Sequence, residues 1–235
     1  MSNSQDGAAD RTVTTVHLLR HGEVHNPDGV LYGRMDGYHL SDRGQQMAQR
    51  VAEALADRDV TYVVASPLER AQETARPVAK SHGIVVGTDP RVVESTNVFQ
   101  GKRFGMGDHV LWKPAAWRHL WNPWRPSWGE PYVEVVARMK AAVADARDTA
   151  YGHEAVVVSH QLPIWITRLH AENRSFVHLP TKRQCTLCSL TSLTFEGNRL
   201  TTVRYSEPAA DLIPVKDRNA TFSSGGAADL EQPTA

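Results

Sequence analysis

Residues 15–23 of this chain read Thr15-Val16-His17-Leu18-Leu19-Arg20-His21-Gly22-Glu23. The short apolar run predicts a buried strand, and the polar residues that end it lie where such a strand brings its last side chains to the carboxyl edge of a sheet. Arg20 is a permanent cation whose planar fork of donors suits phosphate or carboxylate, and His21 can act as a base or nucleophile near neutral pH. A histidine at the end of a strand can equally form a hydrogen bond to a neighbouring loop. The role of His21 therefore has to be inferred together with other segments of the chain.

Hydrophobic periodicity along the rest of the chain predicts alternating strands and helices. Strands are expected near residues 14–19, 60–65, 84–86 and 155–158, helices near 41–57, 68–81, 131–150 and 162–170, and a terminal β-pair at 186–195 and 199–205. This order is typical of an α/β three-layer sandwich, a mostly parallel sheet with helices on both faces. If the strands before His21 and His160 are parallel neighbours, both histidines meet at one edge.

Composition separates one domain from two polar termini. Residues 1–12 predict a disordered leader and residues 207–235, rich in Pro, Ala, Asp, Ser and Gly, a disordered tail, which leaves a single domain at residues 13–206. Within that domain, residues 95–130 lose all periodicity and contain five of the six tryptophans, so they form a segment of different character.

Charge and cysteine content exclude several classes of protein. Lys plus Arg and Asp plus Glu balance at 26 each, so no overall field attracts nucleic acid or an anionic membrane. Neither a signal peptide nor a transmembrane run is present, and two cysteines do not build a secreted disulfide domain. We expect a cytoplasmic protein without nucleic-acid or membrane partners, whose oligomeric state the sequence leaves open.

Metal binding has little support in the sequence. Cys185 and Cys188 have the gap of a metal knuckle or redox pair, but no second pair accompanies them, and we interpret them as structural. His17, His21 and His25 have a spacing that neither a helix nor a strand would bring together. We therefore expect no metal and no other cofactor.

Four segments in fixed order resemble the histidine phosphatase superfamily, the phosphoglycerate-mutase-like proteins. They are Arg-His-Gly-Glu at residues 20–23, Ser-Pro-Leu-Glu-Arg-Ala at residues 66–71, Glu94 after a strand, and Ser159-His160. Each motif alone is weak, whereas the ordered set is specific, and the similarity covers about residues 14–205. The resemblance also implies that residues 95–130 are a small irregular cap over a phosphate pocket. Its tryptophans would be the core of that cap, line the leaving-group side, or contact a partner.

The resemblance implies roles for the strongest matches. His21 would be the nucleophile that takes the phosphoryl group as phosphohistidine, with nearby cations holding its pKa down. Arg20 and Arg70 would clamp the phosphoryl oxygens. His160, protonated beside the bound dianion, would supply a further donor. The alternatives are a surface ion pair for Arg70 on its own helix and a core position for His160.

The resemblance also implies a general acid, which the family places after the third strand. Glu94 would protonate the leaving alkoxide and later help water attack phosphohistidine. Asp108 and Glu130 are substitutes, and the alternative for Glu94 is a solvated loop carboxylate. By the same resemblance Asn26 and the backbone N–H of Gln161 would bind phosphate, although an ordinary loop role for Asn26 stays open.

Departures from the family pattern favour the phosphatase branch. Many members have Gly-Gly after the second histidine, where this chain has Gln161-Leu162-Pro163. Mutases usually carry a Glu-Arg-His-Tyr-Gly run at the acid, where this chain has Glu94-Ser95-Thr96-Asn97. The resemblance thus predicts a metal-independent, histidine acid phosphatase-type phosphoric monoester hydrolase acting on a small phosphorylated substrate. The alternatives are a phosphoglycerate-type mutase and a non-catalytic module that binds a phospho-ligand or a protein.

Overall fold

The computed structural model describes residues 11–98, 100–102, 129–178, 182–213 and 226–227. The strands in this part of the chain are β1 (Val13–Arg20), β2 (Val24–His25), β3 (Val60–Ala65), β4 (Gly87–Thr88), β5 (Glu154–Ser159), β6 (Leu190–Glu196), β7 (Arg199–Ser206) and β8 (Gly226–Ala227). The α-helices are α1 (Asp42–Leu55), α2 (Glu69–Ser81), α3 (Tyr132–Thr149) and α4 (Gln161–Ala171). Two 3-10 turns lie at Pro90–Val92 and Ala210–Leu212.

Six strands form the main sheet, in the order β4-β3-β5-β1-β6-β7. The first four are parallel to their neighbours, whereas β6 is antiparallel to β1 and β7 is antiparallel to β6. β2 and β8 form a separate parallel pair. Because Arg20 is in register with Ser159, β1 and β5 end together, and the residues that follow them emerge at one edge. The predicted mostly parallel sheet is confirmed.

Alternating side chains of the sheet build two cores. Val16 and Leu18 of β1 pack with α3 and α4 on one face, and Leu19 packs with α1 and α2 on the other. Helices therefore cover both faces, as the α/β prediction requires. In α1, for example, Ser41 caps the helix by accepting from the Gly44 amide, and a buried stripe recurs at helical spacing.

Three local predictions differ from the structure. Residues 84–86 are not a strand: β4 lies just after them, pairs only with the end of β3, and leaves Val85 89% exposed beside it. β6 begins later than predicted because the Ser189 amide donates to the Thr186 carbonyl in a turn. Packing also continues past residue 206, since Ala209 is buried in the α1–α2 core.

Several expectations concern residues outside the described ranges. They are the leader at residues 1–10, cap residues 99 and 103–128 with their tryptophans and Asp108, and tail residues 214–225 and 228–235. Among the helices that the structure describes, none combines the length and the apolar character needed to cross a membrane.

Candidate active site

Two histidines and an arginine converge where β1 and β5 end. The ring centroids of His21 and His160 are 5.1 Å apart. Nη2 of Arg70, which lies in the first turn of α2, donates across 3.4 Å to Nδ1 of His160. All three side chains are buried. The strand-end argument therefore predicted the meeting of His21 and His160 correctly, and α2 adds the guanidinium.

His21 is held as a neutral imidazole with one nitrogen directed away from the backbone. Its Nδ1 lies 2.8 Å from the carbonyl oxygen of Gly22, which can only accept, so Nδ1 carries the proton and Nε2 keeps a lone pair. Burial, followed by the charges of Arg70 and Arg20, places the pKa of His21 well below its usual value. The predicted effect of cations on this pKa is present, although burial is the larger cause. Nε2 is thus suited to nucleophilic attack.

The backbone beside His21 is fixed by α2. The Gly22 amide donates to Oγ1 of Thr74 over 3.0 Å, and the Thr74 hydroxyl donates to the Arg70 carbonyl over 2.6 Å. The nucleophile candidate and the arginine are therefore joined through one threonine.

The start of α1 is docked equally tightly on the loop after His21. The buried Glu23 carboxylate accepts from the Ser41 hydroxyl over 2.6 Å and from Arg43 Nε and Nη2 over 2.9 and 2.6 Å. A Cβ on Gly44 would lie only 2.0 Å from the Glu23 carbonyl oxygen, so a side chain at this position would clash with the backbone. Glycine here permits the close approach of helix and loop.

Arg70 has an unusual environment for a permanently charged residue. It is completely buried, stacks 4.7 Å from the Tyr32 ring centroid, and donates from Nη2 to the Gly33 carbonyl over 2.6 Å. Within the described residues, its Nε and Nη1 have no hydrogen-bond partner. A buried donor without a partner is costly, so two nitrogens of this fork favour an anion in the pocket.

The surface-pair alternative for Arg70 does not match the contacts. Oε1 of Glu69 accepts from the Gly37 amide, and Glu73 accepts from His39 and from the Leu40 amide. Both carboxylates of α2 are therefore engaged with the loop before α1.

Arg20, the last residue of β1, contacts the segment that contains the two cysteines. Arg20 is buried and donates from Nη1 to the Cys185 carbonyl over 2.7 Å. Cys185 and Cys188 are free and buried, and burial raises the pKa of both thiols, to about 12 for Cys188. Inert, protonated thiols fit the structural interpretation of this pair.

Glu94 lies in the loop that follows the 3-10 turn Pro90–Val92. Its Oε1 accepts from the Ser95 amide over 2.8 Å. Burial raises the pKa of Glu94 above the usual carboxyl value, against the opposing effects of the Ser95 hydrogen bond and the Arg70 charge. Glu94 is partly exposed, and its raised pKa favours the protonated form relative to a fully exposed glutamate. Its role as the general acid stays a prediction.

The two alternative general acids, Asp108 and Glu130, differ in what the structure describes of them. Asp108 lies outside the described residues. Both carboxylate oxygens of Glu130 accept from guanidinium groups: Oε1 from Arg138 over 2.7 Å, and Oε2 from Arg138 and Arg34 over 2.9 and 3.2 Å. Both oxygens of Glu130 are therefore engaged as acceptors of guanidinium hydrogen bonds.

The protein surroundings of His160 favour a neutral ring. Burial, then the charges of Arg70, His21 and Arg20, lower the pKa of His160 well below its usual value. A neutral ring fits its contacts, since Nδ1 accepts from Arg70 and Nε2 donates to the Ser66 hydroxyl over 2.8 Å. The expectation of a protonated His160 assumed a neighbouring dianion, whose charge acts in the opposite direction.

The two expected phosphate contacts have different surroundings. Asn26 is buried, donates from Nδ2 to the Val30 carbonyl over 2.9 Å, and accepts from the Val30 amide over 3.1 Å, which is the loop role that the sequence left open. Gln161 is the first residue of α4, so its amide is at the helix N-terminus beside His160. A phosphate contact for either residue stays a prediction.

Sequence reasoning missed several residues near this pocket. Tyr32 covers Arg70 and stacks on Tyr38 with ring centroids 4.9 Å apart. Arg183 is close enough for its charge to lower the pKa of Glu94. These residues lie in loops, where no periodicity marks them.

Comparisons with known proteins agree with the geometry. A family model described as the histidine phosphatase superfamily (branch 1) matches residues 16–208. The uncharacterized protein Rv0525 of Mycobacterium tuberculosis (strain ATCC 25618 / H37Rv) is 55% identical over 197 residues, 84% of this chain and 98% of that protein. Probable phosphoglycerate mutase GpmB of Enterobacter sp. (strain 638) is 32% identical over 154 residues, 63% of this chain and 70% of that protein.

A solved structure extends the comparison to three dimensions. The native structure of mycobacterial glucosyl-3-phosphoglycerate phosphatase Rv2419c has a TM-score of 0.64, with 26% identity over 83% of this chain and 96% of that chain. The matched family range contains every motif at the sheet edge, from residues 20–23 to Ser159-His160. The chain belongs to branch 1 of the histidine phosphatase superfamily.

Proposed function

We propose that the chain is a metal-independent phosphomonoesterase that acts through a phosphohistidine intermediate on a small phosphorylated metabolite. The observation that carries the proposal is the pairing of a buried, neutral His21 with the buried fork of Arg70, two of whose nitrogens lack partners in the described chain. A nucleophile with a lone pair and a cation that lacks an anion are complementary to a phosphoryl group.

The first half-reaction transfers the phosphoryl group to the protein. Nε2 of His21 attacks phosphorus in line, the N–P bond forms, and the bond from phosphorus to the leaving oxygen breaks. Arg70 and Arg20 stabilise the charge on the transferred oxygens, and the dianion raises the pKa of His160 so that it can donate as well. Protonated Glu94 gives its proton to the leaving alkoxide.

The second half-reaction reverses these roles. Glu94, now a carboxylate, accepts a proton from water as the water oxygen attacks phosphorus. The N–P bond breaks, inorganic phosphate leaves, and His21 and Glu94 return to their starting protonation states. No step requires a metal ion.

A mutase is the second candidate, because 154 residues are 32% identical to a probable phosphoglycerate mutase. Against it, Ser95-Thr96-Asn97 follow Glu94 where mutases usually carry basic and aromatic residues. The similarity to a phosphatase of glucosyl-3-phosphoglycerate supports a phosphorylated glycerate or sugar derivative as the class to test first.

The wild-type protein is expected to hydrolyse an activated aryl phosphate in the presence of a chelator. Rapid quenching without acid, followed by intact-mass measurement, should show a phosphoryl-sized increment, because phosphohistidine is the intermediate. Inhibition by the chelator would indicate a metallophosphatase. Absence of turnover together with isomerisation of a phosphoglycerate primed by a bisphosphate would indicate the mutase, and absence of both would favour a binding module.

Glu94→Gln is expected to reduce turnover of an alkyl phosphate by about 100-fold, because general acid catalysis contributes about 10²–10⁴. The kcat/KM for the aryl phosphate, which reports phosphoryl transfer to His21 and not the later attack of water, should change far less, since this leaving group needs no proton. With the alkyl phosphate, wild-type activity should fall as the pH rises through the raised pKa of Glu94, and this limb should disappear in the variant. Equal losses on both substrates would contradict the assignment.

A further inference from the structure

We propose that Glu130 is a positioning residue that holds the main chain carrying Glu94, acting through Arg34 and Arg138. The inference rests on the proposed role of Glu94 as the general acid. It gives a function to a carboxylate that the sequence offered as a substitute acid. Arg34, Arg138 and Glu130 are called the clamp below.

Arg34 binds the acid residue itself. Its Nε donates to the main-chain carbonyl of Glu94 over 2.5 Å, and its Nη2 donates to Oε2 of Glu130 over 3.2 Å. Arg34 lies in the loop between β2 and α1, directly after Gly33, whose carbonyl binds Arg70. One loop therefore contacts both the anion-binding candidate and the acid candidate.

Arg138 binds the main chain just before Glu94. From the middle of α3, its Nη1 donates to the carbonyls of Arg91 and Val93 over 2.5 and 2.7 Å. Its Nε and Nη2 form a bidentate pair with Glu130 at 2.7 and 2.9 Å. Only 16% of the Arg138 side chain and 14% of the Glu130 side chain are exposed, so solvent screens this pair weakly.

Glu130 is the shared partner of both arginines. Without a carboxylate between them, two guanidinium groups would repel each other, and nothing would orient their forks toward the three carbonyls. The residue before it reinforces the contact: a Cβ on Gly129 would lie 2.5 Å from the Thr96 carbonyl, and Gly129 forms an isolated bridge with Asn97. Gly129 and Glu130 thus dock directly on the loop of Glu94.

In the first half-reaction, the position of Glu94 matters only for leaving groups that need its proton. An alkyl leaving group requires protonation as the bond to phosphorus breaks, whereas an activated aryl group leaves without it. A displaced carboxyl group would therefore slow the first kind of substrate and spare the second. A clamp that served stability alone would affect both kinds equally.

The test compares Glu130→Gln with wild type on an alkyl and an aryl phosphate. The measured quantity is kcat/KM, which reports phosphoryl transfer to His21 and not the later attack of water. For Glu130→Gln, we expect kcat/KM for the alkyl phosphate to fall about tenfold or more, since a misplacement of about 1 Å can cost 100-fold. The value for the aryl phosphate should change less than about twofold, because departure of its leaving group does not depend on the acid. Glu134→Gln is the matched control: this exposed carboxylate lies four residues along on α3 and should leave both rates unchanged.

A double variant separates action through Glu94 from other roles. In the Glu94→Gln background, Glu130→Gln should cause no further loss on the alkyl phosphate. If Glu130 acts only through Glu94, the effects of the two substitutions do not add. An additional loss would overturn the inference, as would equal losses on both substrates or no loss at all. If Glu94→Gln shows no leaving-group dependence but Glu130→Gln does, Glu130 is itself the acid, and both the inference and the proposed role of Glu94 are wrong.

A second variant guards against misfolding of the first. Arg34→Lys keeps the positive charge beside Glu130 but loses the fork that reaches the Glu94 carbonyl. It should show the same selective loss on the alkyl phosphate while the pair of Glu130 with Arg138 remains. Normal alkyl turnover in a folded Arg34→Lys protein would contradict the clamp.

Discussion

Replacement of His21 by alanine is expected to reduce turnover of an aryl phosphate by at least about 10⁴-fold, because loss of a covalent nucleophile removes the whole first half-reaction. The phosphoryl-sized mass increment seen for wild type should vanish as well. The site cannot easily substitute another group, since the neighbouring His160 is bonded on both ring nitrogens, to Arg70 and Ser66. Steady-state kinetics and intact mass are the two measurements.

A matched histidine controls for this variant. His153 pairs with Asp59 over 2.6 Å at an exposed position, and its β5 neighbour Glu154 lies at the start of the strand, away from the site. His153→Ala should therefore keep normal turnover. Added imidazole should restore part of the activity of His21→Ala, because replacing the side chain by a methyl group leaves a buried space of the size of that ring. A mass increment that persists in His21→Ala would place the phosphorylated residue elsewhere.

Arg70→Ala is expected to lower kcat/KM by about 10³-fold or more, in the range seen when a donor to a transferring phosphoryl group is removed. Arg70→Lys should recover only part of this loss, because a point charge cannot offer the two unpartnered nitrogens of the fork. Inhibition by inorganic phosphate should weaken in parallel. Arg76→Ala, an exposed arginine on the same helix, is the control that should leave these values unchanged.

Arg70→Ala should also shift the pH dependence of the remaining activity, and the direction of this shift follows from the charge that is removed. Arg70 lowers the pKa of His21, and only neutral His21 can attack. Without Arg70 the pKa of His21 rises toward its usual value, so the activity that remains should be lost at a higher pH during acidification than in wild type. A pH profile of kcat/KM measures the shift. An acidic limb that stays at the same pH in Arg70→Ala would contradict the electrostatic effect of Arg70 on His21.

The sheet and both histidines were predictable because they follow from repeating patterns. Burial of β1 and β5 on both faces leaves continuous apolar runs, and the residues after parallel neighbours must share an edge. The strand predicted at residues 84–86 was wrong for a related reason: an apolar run at the sheet edge can end before pairing begins, and periodicity carries no information on hydrogen-bond partners. The start of β6 was missed because the turn at Thr186–Ser189 has no glycine or proline to mark it.

The site was less predictable wherever loops meet. Arg34, Glu94 and Glu130 come from three loops, and their contacts depend on how the chain folds back, which no local pattern encodes. Protonation of His160 beside a bound dianion stays a prediction, because burial and neighbouring cations lower its pKa whereas a dianion would raise it. The neutral state of His21 was predicted from neighbouring cations, but the larger cause, complete burial, becomes visible only in three dimensions.

The position of β1 in the sheet also sets when the protein can become active during its synthesis. β1 is made well before both of its neighbours, because β5 begins at residue 154 and β6 at residue 190. Such non-local pairing folds slowly, because a long loop must close before any contact stabilises it. A nascent chain that has passed α2 already carries His21 and Arg70 but has no partner for β1. The ribosome must therefore deliver the chain at least as far as His160 before the two histidines can meet.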